Sequence, residues 1–338
     1  MEKKVVRVED LKGKYNNPKV SLEVIAEELL AAQKIYLFPH YVPDGDCIGS
    51  SAAICKAMRR MGKECIIVLE DHYPDNIAYL DKGYCVWVKP DEEMEVPDLC
   101  VAMDCSDLDR WPKRLYQFDL GKRSICIDHH VTQGCYAKQN YVDPTASSTC
   151  EIVYRLLKDV LKVEIDVEQA TALYTGIALD TGSFQLINCS KRTLEVVAEL
   201  YDLGIDAVEI NKTLHQNERL EKIRLHSMSL NEMEMFCGGK AAITYCTLEM
   251  LEKTGADLTE TDGINQTMKD IRGVEIAVFL REAGPEEIKV GFRTKDYMDA
   301  FKIAEQFKGG GRMRAAGCTL YVPLMEAKKI IMEAVEKA

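Results

Sequence analysis

The sequence predicts an α/β fold: a mainly parallel sheet with helices on both faces, a smaller α/β domain after it, and a cleft between the two. Three observations predict it. Continuously apolar runs alternate with helix-period segments, as a parallel sheet covered on both sides requires. Acidic residues follow several of these apolar runs directly, at the ends where an open sheet gathers its site residues. After Gly238-Gly239 the pattern restarts with a new set of strands and helices.

The elements follow in order. Residues 1–20 are polar and without period, a loosely ordered lead-in. Leu22 to Ala32 has helical spacing, and Ile35-Tyr36-Leu37-Phe38 reads as a buried strand. Pro39, Pro43 and Gly45 break the pattern, so His40, Asp44 and Asp46 are expected on a tight loop. A helix from Cys47 to Met61 ends at Gly62. Strands are expected at Cys65–Leu69, Leu99–Met103 and Ser124–Ile127, and helices at 148–162, 166–179 and 191–203. Residues 206–235 read as one long charged helix, a connector with little core of its own. Beyond it, Ala241–Cys246, Val274–Arg281 and Glu287–Arg293 read as strands, the last two a hairpin through Ala283-Gly284-Pro285. Helices at 248–254, 299–307 and 323–336 flank them. The expected division is a first domain over 20–205, a helical linker over 206–236 and a second domain over 237–338.

With 338 residues, 47% hydrophobic and 29% charged, the chain has the composition of a soluble globular protein. Its 13 cysteines include no Cys-x-x-Cys pair, and most lie in apolar segments (Cys65, Cys100, Cys126, Cys246), where a reduced thiol acts as a small hydrophobe. The opening residues lack a signal-peptide core, and no stretch approaches the roughly 18 apolar residues of a membrane span, so a cytoplasmic location without membrane contact is expected. A net charge of −12 argues against coating a nucleic-acid duplex. It leaves room for a small anionic ligand whose charge is met by metal ions.

The chemistry gathers at four places. Asp104 follows Leu99–Met103; Asp128, His129 and His130 follow Ser124–Ile127; Asp180 follows the apolar run Tyr174–Leu179 and opens Asp-Thr-Gly-Ser-Phe; His40, Asp44 and Asp46 follow the first strand. Taken singly, each has a plain reading: Asp104 and Asp128 as helix caps, Asp180 as a turn residue, the histidines as core or surface groups. Together, four to five converging carboxylates would repel strongly without a cation, and two divalent metals explain the mixture of His and Asp.

His-x-x-x-Asp-x-Asp at 40–46, Asp104-x-Ser106-Asp107, Asp128-His129-His130 and Asp180-Thr181-Gly182-Ser183-Phe184 resemble the motifs of the DHH phosphoesterases. Gly309-Gly310-Gly311-Arg312-Met313-Arg314-Ala315-Ala316-Gly317 resembles the Gly-Gly-Gly-His-x-x-Ala-Ala-Gly motif of their DHHA1 domain. The stand-alone two-domain size is similar to the nano-RNase and pAp-phosphatase branch. The resemblance implies that His40, Asp44 and Asp104 hold one manganese and that Asp46, Asp104, His129 and Asp180 hold the other, Asp104 bridging. Mg²⁺ or Co²⁺ could substitute. It further implies that His130 faces the substrate phosphate and that Asp128 orients a histidine. Two metals about 3.5–4 Å apart can activate water and clamp an in-line phosphoryl displacement.

The second domain is expected to present the substrate through Arg293, Gly309, Gly310, Gly311 and Arg312. Residues 287–314 carry seven Lys or Arg against four acids, a local excess of three. The Gly309–Gly311 loop would let backbone N–H groups approach a phosphate. Two departures fall here: Arg312 stands where the family has His, and Gly291-Phe292-Arg293-Thr294 replaces Ser-x-Arg-Ser. Arg293 can still clamp a phosphate, and Arg312 offers a permanent cation.

The resemblance implies a manganese-dependent phosphoesterase acting on short single-stranded RNA, linear dinucleotides or adenosine 3′,5′-bisphosphate (pAp), with no duplex nucleic acid as partner and room for a homodimer. The alternatives are a cyclic-dinucleotide phosphodiesterase and, in another class, a nucleotide-binding regulator without catalysis, although no metal ligand is missing.

Overall fold

The computed structural model describes residues 19–90, 92–111, 114–130 and 135–338; the lead-in expected over 1–20 lies, up to residue 18, outside the described residues. The chain divides into two compact units, Met1–Asn217 and Glu218–Ala338.

In the first unit, α1 (Leu22–Ala31) precedes β1 (Lys34–Pro39), α2 (Gly45–Arg60), β2 (Glu64–Leu69), β3 (Cys85–Trp87) and β4 (Leu99–Met103). A short α3 (Leu115–Asp119), β5 (Arg123–Asp128), β6 (Gln139–Val142), α4 (Thr149–Arg155), α5 (Val167–Asp180), α6 (Lys191–Asp202) and α7 (Ala207–His215) complete it. The sheet order is β3-β2-β1-β4-β5-β6, parallel throughout. Successive strands run outward in one direction from β1 and in the other from β4, so the topological switch point lies between β1 and β4. In open α/β sheets, sites form at the carboxyl ends beside that point. One face packs on α2, α4 and α5 through residues such as Ile48, Ile54, Val153 and Leu173. The other carries an aromatic core of Phe38, Trp111, Phe118 and Tyr136.

The second unit holds α8 (Leu220–Asn231), β7 (Glu234–Phe236), β8 (Ala241–Cys246), α9 (Leu248–Thr254), α10 (Ile264–Lys269), β9 (Ile276–Gly284) and β10 (Glu287–Thr294). After these come α11 (Ala300–Glu305), β11 (Gly310–Arg312), β12 (Ala315–Leu320) and α12 (Leu324–Glu336). Its sheet order is β11-β12-β10-β9-β8-β7, antiparallel except for β8 with β9. α11 and α12 cover one face, and α8, α9 and α10 cover the β8–β9 part of the other. The α/β class expected from the sequence holds in both units.

Two expectations are corrected and one is borne out. The connector over 206–235 is two helices, α7 and α8, not one. Ile210 and Leu214 bury in the first unit's core and Leu225 in the second's, and the helix breaks between them over 216–219. Between them Arg219 is extended, and its guanidinium pairs with Asp257 at 2.9 Å and Glu260 at 3.3 Å. The run Tyr174–Leu179 is the end of the helix expected over 166–179, so Asp180 closes a helix where Asp104 and Asp128 stand at strand ends. That run is apolar all round because α5 is buried between neighbours. Gly310–Arg312 is a strand paired with β12, not a loop. Gly309 and Gly311 serve that packing: a Cβ on Gly309 would stand 2.3 Å from the Gly317 carbonyl oxygen, and on Gly311 2.4 Å from the Ala316 Cα.

Candidate metal centre

His40, Asp104 and Asp128 stand at or just past the ends of β1, β4 and β5, on both sides of the switch point. His40 is buried, and its Nδ1 lies 2.7 Å from the Tyr41 carbonyl oxygen. A carbonyl can only accept, so Nδ1 carries the proton and Nε2 is left as a donor atom toward a cation. That Nε2 lies 3.3 Å from Asp44 Oδ2 and 3.6 Å from Asp104 Oδ2.

Asp44 ends the loop, as expected, but Asp46 is already on the helix. Asp44 is the N-cap of α2, its Oδ1 accepting from the Asp46 and Cys47 N–H groups at 3.0 and 3.1 Å, and Asp46 is in the first helical turn. Asp46 is buried beneath the start of α4, where the N–H groups of Thr149 and Cys150 donate to Oδ2 and Oδ1 at 2.7 and 2.8 Å. The positive end of α4 thus holds this carboxylate in place. Gly45, Gly49 and Gly176 allow α2 and α5 to meet this closely. A Cβ at Gly49 would lie 2.4 Å from the Ala172 carbonyl oxygen, and at Gly176 2.9 Å from the Asp46 Cα.

Asp104 sits between two groups of donors. Its Oδ2 faces His40, while Oδ1 lies 3.5 Å from His129 Nε2, 3.6 Å from His130 Nδ1 and 3.0 Å from the Thr149 hydroxyl, which donates to it. Its backbone is left-handed at φ 52°, a conformation Asp tolerates better than most residues. On the far side, His129 Nε2 is 3.5 Å from Asp180 Oδ2, and Asp180 ends α5. Donor atoms of Asp46, His129 and Asp180 lie within 4.8 Å of one another, as do those of His40, Asp44 and Cys47. Asp128, fully buried, accepts through Oδ1 from the N–H groups of His129 and His130 and stands 2.7 Å from His130 Nδ1.

The electrostatics are those of an uncompensated acid cluster. Burial, then the charges of Asp104 and Asp180, push the Asp46 carboxyl well above its ordinary range. Burial, then Asp104 and Asp44, push Asp180 up to about 7. Burial would raise Asp104 too, but its bond to His40 and the charges of His40, His129 and His130 hold it below the usual range. Burial opposes charge on His40, yet Cys47, Asp104 and Asp44 overcome it and raise its affinity for a proton. Carboxyls that raise one another beside imidazoles with enhanced proton affinity form a site whose charge a divalent cation would balance. Carboxylates with imidazole nitrogens, and one carboxylate presenting an oxygen to each of two donor groups, fit hard to borderline divalent ions.

The sequence-derived ligands, His40, Asp44, Asp46, Asp104, His129 and Asp180, are therefore brought together in the first unit, with Asp128 and His130 beside them. Thr149, Cys150 and Cys47 were not foreseen. Ser148-x-x-Glu151 is a visible helix-start pattern, but nothing in sequence announces that the helix aims at Asp46. Cys47 reaches the His40 group because it occupies the third position of α2, where its Sγ lies 3.3 Å from the Asp44 nitrogen. Arg293, Gly309, Gly310, Gly311 and Arg312 belong to the second unit. Arg293 and Arg312 are exposed, and only Gly310 of the three glycines has open space where a side chain would be. No helix among the described residues is long and apolar enough to cross a membrane.

Family models match both units: DHH family, N-terminal domain, over residues 34–177, and DHHA1 domain over residues 238–338. The chain is 32% identical over 318 residues to a bifunctional oligoribonuclease and PAP phosphatase (NrnA) of Thermus thermophilus, covering 94% of each protein. It is 25% identical over 333 residues to a cyclic-di-AMP phosphodiesterase (GdpP) of Geobacillus thermodenitrificans, covering 93% of this chain and 48% of that one. Among solved structures, an exopolyphosphatase-related protein from Bacteroides fragilis superposes with a TM-score of 0.85 at 26% identity, covering 94% of this chain and 95% of the other.

Proposed function

The chain belongs to the DHH family of phosphoesterases, with a DHHA1 domain as its second unit, and from that premise we propose that it is a metal-dependent hydrolase of very short oligoribonucleotides or linear dinucleotides that also removes the 3′-phosphate of pAp. The observation that carries this reading is the position of Asp104, one oxygen toward His40 and the other toward His129.

In this reading His40, Asp44 and Asp104 hold one divalent cation, and Asp46, Asp104, His129 and Asp180 hold a second, manganese being the expected metal. The cations, when bound, supply a water of lowered pKa and neutralise the phosphoryl oxygens. The protein's own groups do the rest. The Thr149 and Cys150 N–H groups fix both oxygens of Asp46, and the Thr149 hydroxyl fixes one oxygen of Asp104. Asp128 holds His130 by Nδ1, so its Nε2 is the ring atom left to meet the substrate phosphate. In the second unit, Arg293 and Arg312 clamp a further phosphate, and the exposed backbone at Gly310 lets it come close.

A second reading, hydrolysis of a cyclic dinucleotide, is favoured by the similarity to the cyclic-di-AMP phosphodiesterase. Product analysis on a labelled 3-mer, linear di-AMP, cyclic di-AMP and pAp, with and without Mn²⁺, separates the two. The expected result is metal-dependent turnover of the 3-mer, linear di-AMP and pAp, with cyclic di-AMP slower. Inertness to all four would overturn both readings.

A further inference from the structure

The second unit's sheet has one face that its helices leave partly open, and register alone maps what lies on it. Cross-strand partners share a face. Arg293 of β10 pairs with Ala315 of β12, which pairs with Arg312 of β11. Two residues along, Gly291, Gly317 and Gly310 form a row without side chains. Two further along, Arg281 of β9, Lys289 of β10 and Thr319 of β12 form a third row. The face therefore carries two cationic rows about 13 Å apart, four residues along a strand, with a glycine floor between them that Asn265 of α10 covers at Gly291, donating to its carbonyl at 2.9 Å, and that stays open at Gly310.

The third row is a built groove. It opens into a space of about 720 Å³ lined by Arg281, Lys289, Thr319, Phe307, Lys308 and Tyr321. Lys289 Nζ reaches the Thr319 hydroxyl at 3.2 Å and is balanced in part by Glu287 at 2.9 Å. Among the described residues, neither Arg281 nor Lys308 has a carboxylate partner. Lys308, in the turn that follows α11, is left-handed at φ 56°, where glycine would be easier, and there its side chain lines the groove. Tyr321 is 74% exposed at the rim. Cations with an exposed aromatic ring are the elements of a single-strand nucleic-acid track.

We infer that this row is a second phosphate subsite, which engages a nucleotide beyond the one held at Arg293 and Arg312 and favours oligoribonucleotides of three or more residues over pAp. The inference rests on the oligoribonuclease reading above. pAp is too short to reach from one row to the other, whereas a chain of several nucleotides crosses the glycine floor and sets a distal phosphate against Arg281 and Lys289. Tyr321 stacks on the base that accompanies it.

The test compares wild type with the double variant Arg281→Ala/Lys289→Ala in Mn²⁺, on a 5′-phosphorylated five-mer and on pAp. The five-mer KM should rise roughly 10-fold with kcat unchanged, its log–log salt dependence becoming shallower by about 1.4, two contacts at about 0.7 each. KM for pAp should stay within about twofold, which also reports intact folding. Tyr321→Ala should raise the same five-mer KM by roughly 5-fold, and Tyr321→Phe should restore it. Parallel changes for both substrates, or none for either, would overturn the subsite. If wild type hydrolyses neither substrate, the oligoribonuclease reading fails. The subsite is then decided by fluorescence anisotropy with a 3′-labelled five-mer: salt-sensitive binding lost in the double variant upholds it, and equal binding overturns it.

Discussion

His130 Nδ1 stands 2.7 Å from Oδ1 of Asp128, a carboxylate with no solvent exposure. That contact fixes which ring nitrogen carries the proton and which one is presented. Asp128→Asn keeps an acceptor for the two backbone N–H groups but removes the charge that supports His130 as a proton carrier. Turnover should fall roughly 10- to 100-fold with metal content unchanged, and the acidic limb of the pH–rate profile should move. A variant with wild-type kcat and profile would remove Asp128 from the mechanism.

Asp104→Asn retains shape and tolerates the left-handed backbone, so it isolates the loss of the shared charge. It should lower kcat/KM by roughly 1,000-fold or more and reduce the manganese retained after desalting. Full metal content with undiminished turnover would mean that the assignment of Asp104 is wrong.

The metal-free chain should lose stability as pH rises from about 5 to about 8. Asp180, raised to about 7, and Asp46 bind more protons folded than unfolded above the ordinary carboxylate value, so stability declines with pH across that window. His40 has the same sign, because its raised folded value means that stability present at low pH is lost as pH climbs. Asp104 has the opposite sign but acts only at lower pH. Mn²⁺ competes with those protons, so its stabilising effect should grow with pH. Thermal melts in EDTA and in Mn²⁺, with Asp180→Asn as the control that flattens the EDTA series, measure this. A rising EDTA series would contradict it.

Arg312→Ala should raise KM for phosphorylated substrates several-fold, on the order of one lost exposed charge contact, and leave kcat near wild type. An unchanged KM would show that Arg312, despite its place beside Arg293's row, contacts no phosphate.

Much of this was legible in the sequence because parallel-sheet strands are short, apolar and bounded by the residues that do chemistry. Leu99–Met103 with Asp104, and the strand before Asp128-His129-His130, are clear cases. Asp180 was legible as a ligand and, from the helix read over 166–179, as a residue at a helix end. β12 hid because Ala315-Ala316-Gly317 has poor strand propensity and owes its place to pairing with β10 and β11. The hold of Thr149 and Cys150 on Asp46 is made by backbone groups 103 and 104 residues distant, which no local pattern encodes.

The glycine contacts between α2 and α5 have a consequence for ion choice. Asp46 and Asp180 ride on two helices whose backbones touch at Gly49 and Gly176, so their separation is set by main-chain packing rather than by adjustable rotamers. A gap fixed in that way discriminates by ionic radius. Ca²⁺, which asks for 6–8 oxygens at about 2.3–2.6 Å, would have to pry the helices apart, while Mg²⁺, at about 2.0–2.1 Å, would not. Calcium should therefore compete poorly with magnesium at this site, and widening the gap rather than changing the ligands is the way to admit it.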